Sequence, residues 1–115
     1  MQKAIEYEEG FTTEGEAESL SVICVAPWQG KLSCVLFHIA DPVLTGADVI
    51  IRHHHRNGLN TWESELFRED PNECPDVYNV QITEPIALKP GDSISVEYAN
   101  PDRLYTNAQI WIEAN

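Results

Sequence analysis

Basic residues are scarce in this chain: 7 Lys and Arg stand against 19 Asp and Glu, for a formal net charge of -12. Binding to nucleic acid requires clustered positive charge that displaces counterions from phosphates, so nucleic acid is not an expected partner. The same imbalance argues against an anionic membrane surface. Long apolar runs are also missing, and none approaches the roughly 18 residues of a membrane span.

Cysteine is scarce as well. The three thiols, Cys24, Cys34 and Cys74, form no Cys-x-x-Cys pair and cannot all be paired within one chain. If residues 27–31 close a hairpin, Cys24 lies opposite Cys34, where a cross-strand disulfide is geometrically allowed. Two buried reduced thiols are the simpler expectation, because we expect synthesis in the cytoplasm. The N-terminus lacks the basic and apolar regions of a secretory signal.

Recognisable catalytic motifs are missing too. The sequence has no Gly-x-Ser-x-Gly turn, no glycine-rich phosphate loop and no Cys/His nucleophile pair. Carboxylates do recur at Glu63 and Glu65 and at Glu69 and Asp70, but so many acidic residues make such pairs unavoidable. The loop 70–76 offers oxygen ligands for calcium without the central glycine of an EF-hand. We therefore expect a protein that is not an enzyme and has no cofactor.

What the chain does have is a repeated alternation of apolar and polar residues. Residues 78–83 and 93–98 alternate strictly, and proline and glycine turns separate them. A period of two between such turns is typical of half-buried antiparallel strands. Similar segments recur along the chain, and no helical period of adequate length interrupts them. The sequence therefore predicts an all-β fold, an antiparallel, jelly-roll-like β-sandwich of eight or nine short strands.

The same pattern predicts how the chain is organised. Residues 1–18 carry six glutamates and are expected to form an acidic N-terminal arm with a short strand at 4–7. Residues 19–115 are expected to form a single sandwich domain, and 43% apolar residues suffice for its core. The segment 31–40 is apolar on both faces, which indicates a central strand. Asn57-Gly58 is the strongest signal for a hairpin turn.

The run His53-His54-His55 is the obvious candidate for a metal site. On a strand, His53 and His55 share one face and His54 takes the other. A His-x-His pair on one face of a strand is a ligand geometry of cupin metal sites, and Glu63 would supply a third ligand. The histidine of the second cupin motif is missing, so we expect solvated histidines, or histidines packed against tryptophan, rather than a metal. His38 has apolar neighbours and is expected to be a core histidine.

Another group of residues predicts contact with other protein molecules. Arg52 and Arg56 concentrate scarce positive charge on one hairpin, which suits docking to an acidic partner or to a neighbouring copy's arm. Since Ile110 and Ile112 are expected to face the core, Trp111 is expected to face outward and to mark an interface. The expected interface residues are Lys3, Glu6, Glu8, Arg52, Arg56, Trp62 and Trp111.

The segment from Ile86 to Tyr98 resembles the late hairpin of many viral and carbohydrate-binding jelly rolls, where a Leu-x-x-Gly-Asp turn leads into an alternating strand. With its short, acidic, single-domain chain, the protein is similar to small tailed-phage virion proteins of the capsid-decoration or fibre-head kind. The resemblance implies a homo-oligomer, often a trimer, located in the virion. Its partner would be a major capsid or fibre protein, and its role would be to stabilise or ornament the particle. The resemblance assigns no site residues.

Two alternatives from other classes stay open. A carbohydrate-binding module would stack glycans on exposed tryptophans, for which the candidates are Trp28, Trp62 and Trp111. A cupin-like metal-binding enzyme would instead centre on His53, His55 and Glu63. A virion protein predicts a stable oligomer without metal or sugar. A glycan module predicts tryptophan fluorescence changes on glycan binding, and a cupin predicts stoichiometric metal.

Overall fold

The structure, a computed structural model, describes residues 4–11, 19–39, 43–73, 78–82 and 84–114 of the chain. Regular structure in these residues is β except for one turn of 3-10 helix, Pro71–Glu73. The expected eight or nine strands are confirmed. They are β1 (Ala4–Phe11), β2 (Leu20–Val25), β3 (Gly30–Ile39), β4 (Val49–Asn57), β5 (Asn60–Glu69), β6 (Tyr78–Ile82), β7 (Ile86–Leu88), β8 (Ser93–Tyr98) and β9 (Thr106–Ala114).

The strands form two antiparallel sheets. The first sheet has the order β1-β9-β3-β6, with β7 also paired to β3, and the second has the order β2-β8-β4-β5. β6 pairs with the end of β3 at Val35–Ile39, while β7 pairs with its start at Gly30–Leu32. The two short strands therefore share one edge position. Counted as one interrupted strand, they complete the strand order of an eight-stranded jelly roll, which confirms the predicted fold.

The hairpin predicted at Asn57-Gly58 joins β4 to β5. Asn57 pairs with Asn60, so Gly58 and Leu59 form a two-residue turn. Gly58 has a φ of +63°, which only the residue without a side chain adopts at little cost, and a glycine first in the turn is typical of type II′. The turn lets the hairpin extend past the sandwich core.

The hairpin expected through residues 27–31 is wrong, because β2 and β3 belong to opposite sheets. Cys24 is buried on β2, and burial raises the pKa of its thiol. The register of β3 against β9 shifts between Leu32 and Cys34, and this bulge leaves Cys34 half-buried outside the core. Both thiols are free, and Cys74 lies outside the described residues.

The segment 86–98 is not a hairpin either. β7 lies in the first sheet and β8 in the second, so the turn between them carries the chain across the sandwich. The N–H of Asp92 donates to the carbonyl of Lys89 at 3.0 Å, and Gly91 adopts a φ of +92°. The alternation in β8 correctly directs Ile94, Val96 and Tyr98 into the core, but Ser93 and Ser95 on the other face are buried as well, so the strand is not half-buried.

The core lies between the two sheets and is built from alternating inward residues. β3 is the central strand that its apolar character predicts, with β9 on one side and β6 and β7 on the other. Phe37 of β3 meets Tyr98 of β8 edge to face, with ring centroids 5.7 Å apart. Burial raises the pKa of Tyr98 to about 12. Other fully buried side chains include Leu20, Val22, Leu32, Val35, Ile39, Ile51, Leu88, Ile94, Ile110 and Ile112.

β1 is longer than the short strand expected at 4–7. It pairs antiparallel with β9 over its whole length, from Ala4 opposite Glu113 to Phe11 opposite Thr106. The remainder of the predicted arm, 1–3 and 12–18, lies outside the described residues. Over the part of the chain that is described, no helix has the length and apolar character needed to cross a bilayer.

We expect Phe37→Ala to lower the free energy of unfolding by about 3–5 kcal/mol, because it leaves a cavity between the sheets. Phe37 is 1% exposed and contacts the ring of Tyr98. Leu36→Ala, next to it on the half-buried outer face of the same strand, is the matched control, with an expected loss of about 1 kcal/mol. Urea denaturation measures both. Equal losses would contradict the assignment of inward and outward faces.

A carboxylate holds the loop before β4. The backbone N–H groups of Leu44 and Thr45 donate to Oδ2 of Asp102, at 2.7 and 2.9 Å. A hydrogen bond from the Thr45 side chain, together with these N–H groups, lowers the pKa of Asp102. Because the folded-state pKa lies below the unfolded one, the contribution to stability is complete above the unfolded pKa. It is lost as pH falls through the folded pKa.

We therefore expect Asp102→Ala to cost about 1 kcal/mol at neutral pH and progressively less as pH falls below about 4. Urea midpoints of the variant and the parent protein, measured from pH 7 to pH 3, test this. Asp102→Asn is the control, since its amide oxygen still accepts hydrogen bonds but does not titrate. A pH-independent difference for the alanine variant would show that the carboxylate charge does not contribute.

Candidate functional site

The far end of the β4–β5 hairpin carries polar side chains on its inward face. Val49 and Ile51 fill the core, and the same alternation then points His53 and His55 inward beyond it. Register places Ser64 opposite His53 and Trp62 opposite His55 on β5. The inward face therefore changes from apolar to polar along one strand.

Asp92, in the turn before β8, is hydrogen-bonded to three other residues of this region. Its Oδ2 lies 3.0 Å from Nε2 of His53 and accepts from the Lys89 N–H at 3.1 Å. Its Oδ1 accepts from the N–H of Arg56 at 2.9 Å. Burial raises the pKa of Asp92, but hydrogen bonds from Lys89, His53 and Arg56 outweigh it, so the pKa lies below its ordinary value.

Three rings form a stack beside this carboxylate. His53 and His55 have ring centroids 3.7 Å apart and planes tilted by 27°, and Trp62 continues the stack 4.9 Å from His55. Nε2 of His55 lies 2.8 Å from Oγ of Ser64. Burial and then the nearby His53 lower the pKa of His55. The expectation that a histidine packs against tryptophan is confirmed for His55.

The donor atoms of this region converge. One ligand atom each from His53, His55 and Asp92 lies within 4.8 Å of the others, the one such cluster in the described part of the chain. Glu63, the third ligand suggested by the sequence, is on the other face, with Oε1 3.2 Å from Nδ1 of His54. The alternation of β5 that faces Ser64 inward necessarily turns Glu63 outward, so Asp92 takes its place.

The outer face of the hairpin is a network of mixed charge rather than a basic patch. Nη1 of Arg52 donates to Oε2 of Glu97 at 2.7 Å. Nε2 of His54 lies 2.7 Å from Oγ of Ser95, and its other nitrogen faces Glu63. Of the two arginines expected to form the basic spot, Arg52 is therefore engaged within its own sheet. Arg56 remains exposed near the hairpin tip.

The three tryptophans differ in what they offer to a ligand. Trp28 is partly buried and packs against the core. Trp62 is 46% exposed but stacks one face on His55. Trp111 is 38% exposed and faces outward between the buried Ile110 and Ile112, as their alternation predicts.

Other candidates from the sequence have local structural roles. His38 is half-buried on the outer face of the first sheet rather than in the core, because Phe37 and Ile39 take the inward positions. Asp70 accepts the N–H of Asn72 at 2.9 Å and so closes its own turn. The other loop residues proposed for calcium, Glu73 and Asp76, have no described side chains. Nε of Arg68 lies 2.9 Å from Oε1 of Glu65, and this hydrogen bond lowers the pKa of Glu65.

The remaining predicted interface residues lie in or near β1. Glu6 and Glu8 pair in register with Trp111 and Gln109 of β9, and their side chains are outside the described part of the structure, as is Lys3 altogether. Asp92 was not predicted as a site residue. Its only sequence signal was a place beside Gly91 in a turn, which says nothing about the strand it contacts.

We expect Asp92→Ala to lower the free energy of unfolding by about 3–5 kcal/mol, since two backbone N–H groups and the His53 ring lose a buried acceptor. Asp92→Asn keeps one acceptor oxygen and is expected to cost about half as much. Thermal and urea unfolding measure both variants. A loss below about 1 kcal/mol for the alanine variant would show that Asp92 does not hold the turn to β4.

Comparison with known proteins offers no further guide: no protein-family model matches the chain, and no curated protein matches it significantly. The fold and the contacts of the described residues therefore carry what can be inferred about function. Those contacts single out two places in the second sheet, the histidine-aspartate cluster at the hairpin and the opposite edge strand, β2.

Proposed function

We propose that this protein is a non-enzymatic structural protein that self-associates, a capsid-decoration or fibre-head protein of a virion. Jelly rolls are common in viral capsid proteins, although the same fold occurs in lectins and cupins and does not fix a function. The observation that carries the proposal is the exposed edge strand β2, whose uncharged outward face includes the exposed Ile23 and Val25.

β2 lacks the protection that edge strands usually have. Its outward side chains include Ile23 and Val25, which are 53% and 54% exposed, and the strand contains no charge and no proline. No described strand pairs with its free edge. Soluble proteins normally place charges, prolines or bulges on such an edge to prevent pairing with another chain. An unprotected apolar edge is therefore a natural site for contact with a second copy.

The opposite edge of the same sheet provides a comparison within the molecule. β5 is also an edge strand, but it carries Glu63, Glu65, Arg68 and Glu69 and has a register shift opposite Ile51. Charges and a bulge are the devices that discourage strand pairing. Among the described residues, one edge of the second sheet is thus protected and the other is open.

Net charge favours the same location for self-contact. Copies that each carry a charge of -12 repel one another, and the repulsion is weakest where the facing surface has no charge of its own. The six residues of β2 are uncharged. Pairing there would satisfy free backbone N–H and C=O groups and cover part of Ile23 and Val25 with side chains of the neighbouring strand, at about 25 cal/mol for each Å² of apolar surface removed from water.

The arrangement of copies follows from which edges meet. Two β2 strands that pair about a two-fold axis give a dimer, whereas β2 against a different edge of the next copy gives a ring such as a trimer. In either case the second sheet becomes continuous between copies. Trp111, on the outer face of the first sheet, is left exposed for a capsid or fibre protein.

We expect the protein to be an oligomer in solution and Ile23→Glu with Val25→Glu to convert it to a monomer, because the paired edges would face each other with like charges. Light scattering after size-exclusion chromatography measures the mass. Leu59→Glu is the matched control, since Leu59 is fully exposed at the hairpin tip and far along the sheet from β2. It should leave the mass unchanged.

Far-UV circular dichroism and thermal unfolding establish that the double variant is folded. A parent protein that is monomeric at tens of micromolar, or a folded double variant with the parent's mass, would contradict self-association through β2. Stacking of glycans on Trp111 is tested on the same samples by tryptophan fluorescence, with Trp111→Ala as the control.

A further inference from the structure

We propose that His53, His55 and Asp92 form a binding site for a divalent transition metal of the zinc type. Two imidazoles and one carboxylate are a donor set that zinc accepts in proteins. The three donor atoms already lie within 4.8 Å of one another, on two segments that the sandwich fold holds together. None of the three ligands belongs to β2, so the test of the site does not depend on the proposed self-association.

Two of the ligands are close to the geometry that a metal requires. Neighbouring donors in a tetrahedral zinc site lie about 3.4 Å apart, given zinc–nitrogen distances of about 2.0–2.1 Å. Nε2 of His53 and Oδ2 of Asp92 are separated by 3.0 Å. The metal would replace the proton between Nε2 of His53 and Oδ2 of Asp92, and that proton would move to Nδ1 of the same ring. Little movement of the backbone is needed.

The third ligand must turn. His55 stacks on His53 with planes tilted by 27°, so the two rings do not yet direct their nitrogen lone pairs at one point. Nε2 of His55 is held by Ser64, which leaves Nδ1 as its ligand atom. His55 is only half-buried, so its ring has room to turn, and Nδ1 would then have to face the other two donors. The metal bond then replaces the ring stack with His53.

Groups outside the three ligands support the site. The N–H groups of Arg56 and Lys89 fix the orientation of the Asp92 carboxylate, at 2.9 and 3.1 Å. Such hydrogen bonds to ligands are a regular part of metal sites in proteins. A groove of about 470 Å³ beside the hairpin is lined in part by His55 and Trp62, though not by His53 or Asp92.

A comparison of variants at His54 and at His55 distinguishes the proposed site from unspecific metal binding by the run of three histidines. Any flexible stretch with several histidines binds metal weakly, whatever its structure, and such binding depends only on how many histidines remain. His54 and His55 differ in place rather than in chemistry, because His54 faces outward to Ser95 and Glu63. Removal of either one leaves two histidines in the run. The proposed site alone predicts unequal effects.

Calorimetric titration with Zn²⁺ of the full chain, in a buffer that does not chelate, tests the proposal. We expect one ion per chain. His55→Ala should weaken binding by more than about 100-fold, since loss of a ligand exceeds the 10–100-fold cost of losing a supporting hydrogen bond. His54→Ala should bind within about threefold of the parent protein. Asp92→Asn should also bind more weakly, and a rise in melting temperature with Zn²⁺ should accompany binding in the parent protein.

Unfolding curves without metal show whether each variant is folded, and His55→Ala, at a half-buried position, keeps the test usable if Asp92→Asn is too unstable. Absence of stoichiometric binding to the parent protein would overturn the proposal. Equal effects of His54→Ala and His55→Ala would overturn it too, because they would indicate binding to the histidine run as such. A folded Asp92→Asn variant with unchanged affinity for Zn²⁺ would show that the carboxylate is not a ligand, and this would overturn the proposed three-residue site.

Discussion

The buried carboxylate of Asp92 connects the crossover turn before β8 with the β4–β5 hairpin. It lies in the turn that crosses from the first sheet to the second, and its oxygens accept from Lys89 in that turn and from Arg56 and His53 on β4. A buried charge is costly unless hydrogen bonds satisfy it, so Asp92 specifies one position for the turn relative to the hairpin. The β2 strand is tied to the same turn, since the N–H of Ala26 donates to the carbonyl of Asp92.

Polar contacts, rather than apolar packing, hold the part of the β4–β5 hairpin that extends beyond the core. Ile51 is the last apolar residue on the inward face of β4, and His53 and His55 continue the face where hydrophobic packing ends. Asp92 and the stacked Trp62 supply the contacts that a longer apolar core would otherwise provide. A region stabilised in this way is rich in nitrogen and oxygen donors. The proposed metal site thus lies where the fold ends its core.

The fold could be predicted from the sequence further than the site could. Period-two alternation in β8 and the Asn57-Gly58 turn are local signals, and both were correct because neighbouring residues decide them. Which strands pair is not a local property: β2 and β3 follow one another closely and yet lie in different sheets. The same limit applies to the site. The shared face of His53 and His55 was predictable, whereas Asp92 is 37 residues from His55 and joins it only through the jelly-roll crossover.

The two proposed functional surfaces lie on different strands of one sheet, and this separation has a physical consequence. β2 is an edge strand, the histidine cluster belongs to β4, and β8 lies between them and follows Asp92 directly. A metal at Asp92 would restrain the turn that precedes β8 and accepts the hydrogen bond from Ala26, at the end of β2. Binding would then favour the flat, ordered edge that strand pairing requires. Metal binding and self-association would in this way stabilise the same conformation without sharing a single residue.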